Sequence, residues 1–412
     1  MTTNSDVIES PIDIVALRAH FPALRSGTAY FDGPGGSQVP DTVIDAVADT
    51  FRAGIANRGR VTAAERVADD TVLAARAAMA DLLGAEAGGI VFGRSMTALT
   101  FDMARTLAAT WAPGDEIVVT RLDHDANIRP WLIAAQRAGV TVRWAEFDAA
   151  SAELPVENVA AVISDRTRLV AVTAASNLLG TRPDVAAISA AAHRAGALTY
   201  VDAVHATAHG PIDMADLGAD LLVCSPYKFF GPHCGVLAGR VDLLATLHPD
   251  KLLPSSDAVP ERFELGTLPY ELMAGTTAAV DFLASLAGQA HRGAGDRRQQ
   301  LLAAWGSLDE HEQRLRQRIE AGLAELPGVT VRSRAARRTP TLLLTFADHS
   351  PEQAYRFLAE RGVNAPAGSF YAIEASRFLG LGDGGGLRIG LAPYNSDADV
   401  DRLLAGLAEF LS

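Results

Sequence analysis

Ala197-Leu198-Thr199-Tyr200-Val201-Asp202-Ala203-Val204-His205, followed by Leu221-Leu222-Val223-Cys224-Ser225-Pro226-Tyr227-Lys228, decides the fold. Each stretch is a short apolar run, too short for a helix, that breaks into residues able to do chemistry. That is the pattern of an α/β sheet with functional side chains at the carboxyl ends of its strands. The same alternation extends outward from about Gly88 to Arg240 through Ile90–Phe92, Glu116–Thr120, Thr141–Trp144, Leu169–Ala174 and Gly235–Gly239. Helical stretches such as Ile128–Ala138 and Val185–Ala195 lie between, the latter opened by Pro183-Asp184 and closed by Gly196. Seven runs so arranged predict a parallel or mixed sheet covered by helices.

After Pro260 the pattern changes. Helices are predicted over Tyr270–Ala287 and Asp296–Leu326, strands over Thr341–Phe346 and Leu387–Ala392, and a helix over Pro351–Arg361. A last helix runs from Asp397 to Phe410, with Ser396 and Asp399 placed as a capping box. This reads as a smaller α+β domain. The expected division is a large domain over 28–265 and a small one made of 1–27 and 266–412.

A chain of 412 residues, 49% hydrophobic and 21% charged, has ample apolar surface for a large core. Its net charge of −13 argues against a broad nucleic-acid or anionic-membrane surface, leaving small molecules as the expected partners. No basic head precedes an apolar stretch at the N-terminus and no run is long enough to cross a bilayer, so cytoplasm is the expectation. The two cysteines, Cys224 and Cys234, suggest neither a disulfide framework nor a metal site.

Lysine usage is more telling. Only Lys228 and Lys251 occur, so arginine serves nearly everywhere a cation is wanted. Arginine cannot form a Schiff base; Lys228, flanked by Tyr227, Phe229 and Phe230, is expected to be desolvated enough to expose a neutral amine. Asp202, at the end of a buried run, needs a cationic partner, and a pyridinium nitrogen would serve. Arg94-Ser95-Met96-Thr97 opens a helix, offering backbone N–H groups and two hydroxyls to an anion. His124, in a strand-to-helix turn, can stack on a planar cofactor, while His205 can donate to its phenolic oxygen. Arg388 can clamp a substrate carboxylate. No Gly-x-Gly-x-x-Gly follows a strand, which counts against a nicotinamide enzyme.

Together these motifs resemble the class V aminotransferase superfamily, most closely its cysteine desulfurase and selenocysteine lyase branch, whose relatives include kynureninase and isopenicillin N epimerase. The resemblance begins at Ala29-Tyr30-Phe31-Asp32-Gly33-Pro34-Gly35-Gly36 and continues through His124-Asp125-Ala126-Asn127, Ser176-Asn177-Leu178-Leu179-Gly180-Thr181 and Asp202-Ala203-Val204-His205. It then takes in Ser225-Pro226-Tyr227-Lys228, Arg262-Phe263-Glu264-Leu265-Gly266-Thr267 and Arg388-Ile389-Gly390. Ordered motifs over such a span are far more specific than any one of them.

The resemblance implies a fold-type I transferase with pyridoxal 5'-phosphate (PLP) as cofactor and a mainly parallel seven-stranded sheet in its large domain. It implies Lys228 as the Schiff-base lysine and catalytic base, Asp202 at the pyridine nitrogen and His124 over the ring. Thr97 and Ser225 would hold the phosphate, Arg388 the substrate carboxylate, and Asn177 would lie near cofactor oxygen and substrate. The family is homodimeric, with Thr267 reaching the other subunit's phosphate.

Two kinds of departure stand out. Desulfurases usually have Gln where His205 stands and often His where Tyr227 stands; both replacements still hydrogen-bond. They also carry a nucleophilic Cys on a mobile loop upstream of the substrate arginine, and this chain has none between Val363 and Leu387. The expected reaction is therefore C–S or C–Se cleavage of a cysteine-type substrate without a protein persulfide. Transamination or epimerisation on the same scaffold, and a non-catalytic binding role, remain as alternatives.

Overall fold

The computed structural model describes residues 12–287 and 295–412; the N-terminal stretch read above for a targeting signal lies mostly outside them. The large sheet has seven strands in the spatial order Ile90–Gly93, Gly235–Gly239, Leu221–Cys224, Leu198–Asp202, Thr167–Thr173, Glu116–Thr120 and Thr141–Ala145. Gly235–Gly239 runs antiparallel to both neighbours and every other pairing is parallel. The architecture is α/β with a mainly parallel central sheet.

Both faces of this sheet are buried. Val170, Val172, Val201 and Leu222 enter one core, while the alternate residues Leu169, Ala171, Tyr200, Leu221 and Val223 enter the other. That explains why the strands read as continuous apolar runs, with helices required on each side. The seven expected runs are the seven strands, with small shifts at their ends. Thr167–Thr173 starts before the apolar run because Thr167 is buried and pairs with Glu116.

Three helices cover one flank: Tyr270–Ser285 packs against Asp41–Arg52 and Ala63–Leu83. The last begins at a capping box in which Thr62 and Glu65 satisfy each other's backbone N–H, and ends at Gly84 in the left-handed region. The expected Asp296–Leu326 helix spans Arg297–Ala324, because Asp296 is the cap itself, paired with Gln299.

A second sheet is antiparallel, in the order Ala367–Gly368, Gly386–Gly390, Thr341–Phe346, Val329–Val331. It has its own core, in which Leu342, Leu344 and Ile389 meet Leu315, Ile319, Val400, Leu403 and Leu407 from the helices Arg297–Ala324 and Asp397–Leu411. The early segment is stitched onto this region: Ala29–Tyr30 pairs in parallel with Val363–Asn364, and Asp32 bridges to Gly390. Two glycines permit the approach. A Cβ on Gly33 would meet the Leu391 carbonyl oxygen at 2.2 Å, and one on Gly390 would meet Pro34 Cδ at 2.0 Å. No helix among the described residues is long and apolar enough to cross a membrane.

Candidate active site

The carboxyl ends of the parallel strands share one edge of the sheet, where a chain of this topology places its ligand. Met96, Thr97, His124, Asn177, Asp202, His205, Tyr227 and Lys228 line a single cleft there. Asp202 closes its strand, and each of the others stands in the turn, or at the start of the helix, that follows a strand.

Lys228 ends a one-turn 3-10 helix, Pro226–Lys228, that follows Leu221–Cys224. Its ammonium donates to the Pro34 carbonyl oxygen and lies 4.7 Å from the Tyr227 ring centroid. Burial, aided by the charge of Arg388 and opposed by Asp32 and Asp202, brings its pKa down to about 7. The anticipated desolvation is present, but its source differs in part. Phe229 and Phe230 belong to the core, where Phe230 packs edge-on against Phe21 and Phe282.

Asp202 closes its strand with 4% exposure, and Oδ1 accepts from Val204 N–H at 2.9 Å. Burial pushes the carboxyl up to about 6, partly offset by that hydrogen bond and by Lys228. A cation against it would restore the ionised form. Asp123 lies fully buried nearby, accepting from the Thr120 hydroxyl and, at 2.6 Å, from the Asn127 amide; burial foremost pushes it up to about 8.

His124 accepts from Ala126 N–H through Nδ1 at 3.0 Å, which puts its proton on Nε2. Burial and the Lys228 charge lower its pKa to about 4, so near neutrality the ring is uncharged and suited to stacking. His205 meets the Thr339 and Thr341 hydroxyls through Nε2, at 2.9 and 3.0 Å. Thr339 also donates toward the Gly180 carbonyl at 3.4 Å and Thr341 Oγ1 at 3.2 Å. His205 Nδ1 is buried without a partner among the described residues. Asn177 is similar: Nδ2 donates to the Phe370 carbonyl at 2.9 Å while Oδ1 is buried and unpartnered.

Arg388, 2% exposed, donates to Asp32 at 2.5 Å and to the Asn177 carbonyl at 3.1 Å. Its Nε has no partner, and Phe370 lies 3.6 Å from its guanidinium carbon. Ser95 caps the helix Met96–Ala108 by accepting from Ala98 N–H; it does not line the cleft, so of the two anticipated hydroxyls only Thr97 faces it. Ser225 is buried just before the 3-10 turn. Thr267 lies apart, on a neighbouring pocket with Arg94, His233 and Leu268.

Sequence reading missed Pro34, Thr339, Thr341, Phe370 and Tyr371, and gave Asp32 no role. Only the glycine-rich turn Gly33–Gly36 signalled a close backbone approach.

The donor set fits PLP. A helix start offers free N–H groups, a buried carboxylate lacks a cation, an imidazole lies ready to stack, and two buried polar atoms on cleft residues are orphaned. Comparison with known proteins agrees. Residues 29–403 match the family model described as Aminotransferase class-V. An uncharacterized protein of Mycobacterium tuberculosis is 34% identical over 401 residues, covering 96% of this chain and 98% of its own. A cysteine desulfurase of Pectobacterium atrosepticum is 30% identical, covering 96% and 97%. The crystal structure of the cysteine desulfurase CsdA from Escherichia coli superposes with a TM-score of 0.84 at 28% identity, covering 97% of this chain and 98% of that one.

Proposed function

Because this chain belongs to the aminotransferase class-V family, we propose that it carries PLP covalently on Lys228 and cleaves the C–S or C–Se bond of a cysteine-type amino acid without a persulfide of its own. One observation carries the reading: a buried amine, its pKa brought down to about 7, shares its cleft with a buried carboxyl that burial pushes up to about 6. When bound, PLP supplies an electron sink that acidifies the substrate's Cα–H.

The protein's residues supply the rest. Asp202 holds a proton at the ring nitrogen, and His124 packs against the ring as a neutral imidazole. The Nδ1–H of His205 donates to the phenolic oxygen. The start of Met96–Ala108, with Thr97 and Ser225, holds the phosphate, joined by Thr267 of the partner subunit in a homodimer. Arg388 orients the substrate through its carboxylate, with Asn177 alongside. Lys228 Nζ, whose pKa burial brings down to about 7, is the base that takes the Cα proton.

The thiols support departure of sulfur without protein capture. Cys224 and Cys234 are the only cysteines, both are buried, and burial pushes both above the ordinary thiol range, Cys234 to about 11. The test is to incubate the holoenzyme with cysteine, selenocysteine, cystine and S-conjugates and assay pyruvate or alanine together with released sulfur or selenium. Silence on all of them removes the reading.

A further inference from the structure

The loop after Ala367–Gly368 holds two consecutive non-glycine residues in the left-handed region, Phe370 at φ 52° and Tyr371 at φ 58°. Side chains this large rarely adopt that conformation unless their surroundings impose it. Here the imposing groups are identifiable. Asn177 Nδ2 donates to the Phe370 carbonyl at 2.9 Å, and Asp125 N–H donates to the Tyr371 carbonyl at 2.7 Å.

The consequence is where the rings go. Phe370 lies face-on to the Arg388 guanidinium at 3.6 Å, and Tyr371 lies 5.6 Å from the His124 ring, tilted by 31°. Tyr371 is 75% exposed, an unusual state for a strained aromatic residue. The loop therefore spans from the carboxylate anchor to the stacking imidazole. A substrate with its carboxylate at Arg388 and its amino group at the Lys228 end of the cleft would direct its side chain toward this loop. From Gly368 to Ile373 the loop has no charged side chain, and the first one beyond, Glu374, is engaged by Arg121 and Arg129.

We propose that Phe370 and Tyr371 are specificity-determining residues for an S-substituted cysteine whose sulfur bears an apolar or aromatic group. The proposal rests on the C–S cleavage reading and names its substrate class. A free thiol gains little from two aromatic faces, whereas a thioether gains both sulfur–ring and ring–ring contacts. The bond changes balance without an oxidant. Lys228 takes the Cα proton, the electron pair forms Cα=Cβ as Cβ–S breaks, and the thiolate leaves to be protonated. Net, the S-substituted cysteine and one water give a thiol, pyruvate and ammonium.

The experiment titrates the holoenzyme with S-benzylcysteine, cysteine and the all-carbon analogue 2-amino-5-phenylpentanoate. It follows the absorbance of the bound cofactor and, separately, thiol release. S-benzylcysteine is expected to half-saturate at about tenfold lower concentration than cysteine, the size of effect such contacts provide. Phe370→Ala and Tyr371→Ala each reduce that preference, and Phe370→Leu reduces it less than Phe370→Ala; retained cofactor absorbance shows that the variants are folded. Equal affinity for cysteine and S-benzylcysteine, or a preference that survives both alanine variants, overturns the proposal. If cysteine still releases sulfur in that case, the cleavage reading stands alone. Loop-dependent binding of the carbon analogue, with no thiol released from S-benzylcysteine and no sulfur from cysteine, overturns both.

Discussion

Asp32 Oδ1 and Arg388 Nη2 meet at 2.5 Å, across 356 residues of sequence, with the guanidinium buried and the carboxylate half-buried. With the Asn177 carbonyl, the pair engages one N–H on each terminal nitrogen of Arg388, and Nε has no partner among the described residues. It also sets the charge seen by Lys228, since Asp32 favours the ammonium while Arg388 opposes it.

Asp32→Asn is expected to lower the Lys228 pKa below about 7 and to destabilise the cofactor-free protein by about 1–3 kcal/mol, less than a fully buried pair because Asp32 touches solvent. Arg388→Gln moves the amine the other way. Stopped-flow rates of cofactor capture against pH read the first effect, and urea unfolding reads the second. Rates that plateau at the same pH in both variants and wild type contradict the assignment.

Lys228→Arg keeps the charge and removes the nucleophile. The purified protein is expected to be colourless when made with ample vitamin B6. Hydride trapping of the wild type should place the cofactor on the Lys228 peptide, and a label on Lys251 instead would refute the central assignment.

Asp123 gives the cofactor-free protein a pH signature. Its folded pKa, about 8, lies above the usual carboxyl value near 3.8, so between those limits the folded state binds more protons than the unfolded. Its contribution is present below about pH 4 and is lost as pH rises toward 8. Asp123→Asn, which keeps one acceptor for the Asn127 amide, should flatten the decline in urea midpoint between pH 5 and 8; an unchanged slope sinks the prediction.

Thr341→Val removes one of the two hydroxyls that meet His205 Nε2. The pH at which the bound cofactor changes colour should shift by roughly half a unit or more, the scale of one lost hydrogen bond. Thr341→Ser should restore it. A purely structural role for Thr341 would lower stability and leave that pH in place.

Much of the cleft was legible because Thr97, His124, Asn177, Asp202, His205 and Lys228 follow apolar runs in a parallel sheet, so strand order alone gathers them. What escaped came from elsewhere in the chain. Asp32, Pro34, Thr341 and Phe370 reach the site from turns and from the second sheet, and no local periodicity announces a contact between residues 34 and 228. Phe229 and Phe230 show the converse: adjacency to Lys228 suggested contact with its amine, whereas Phe230 takes a left-handed conformation, φ 72°, and packs among core aromatics. The helices Asp41–Arg52 and Ala63–Leu83 went unremarked because they lie outside the alternating region that fixed attention on the sheet.

The parallel pairing of Ala29–Tyr30 with Val363–Asn364, and the bridge from Asp32 to Gly390, bear on biosynthesis. Asp32 can reach Arg388 only after polypeptide through the strand Gly386–Gly390 has emerged from the ribosome. A translation product truncated before that strand would carry Lys228 but lack the arginine that Asp32 meets.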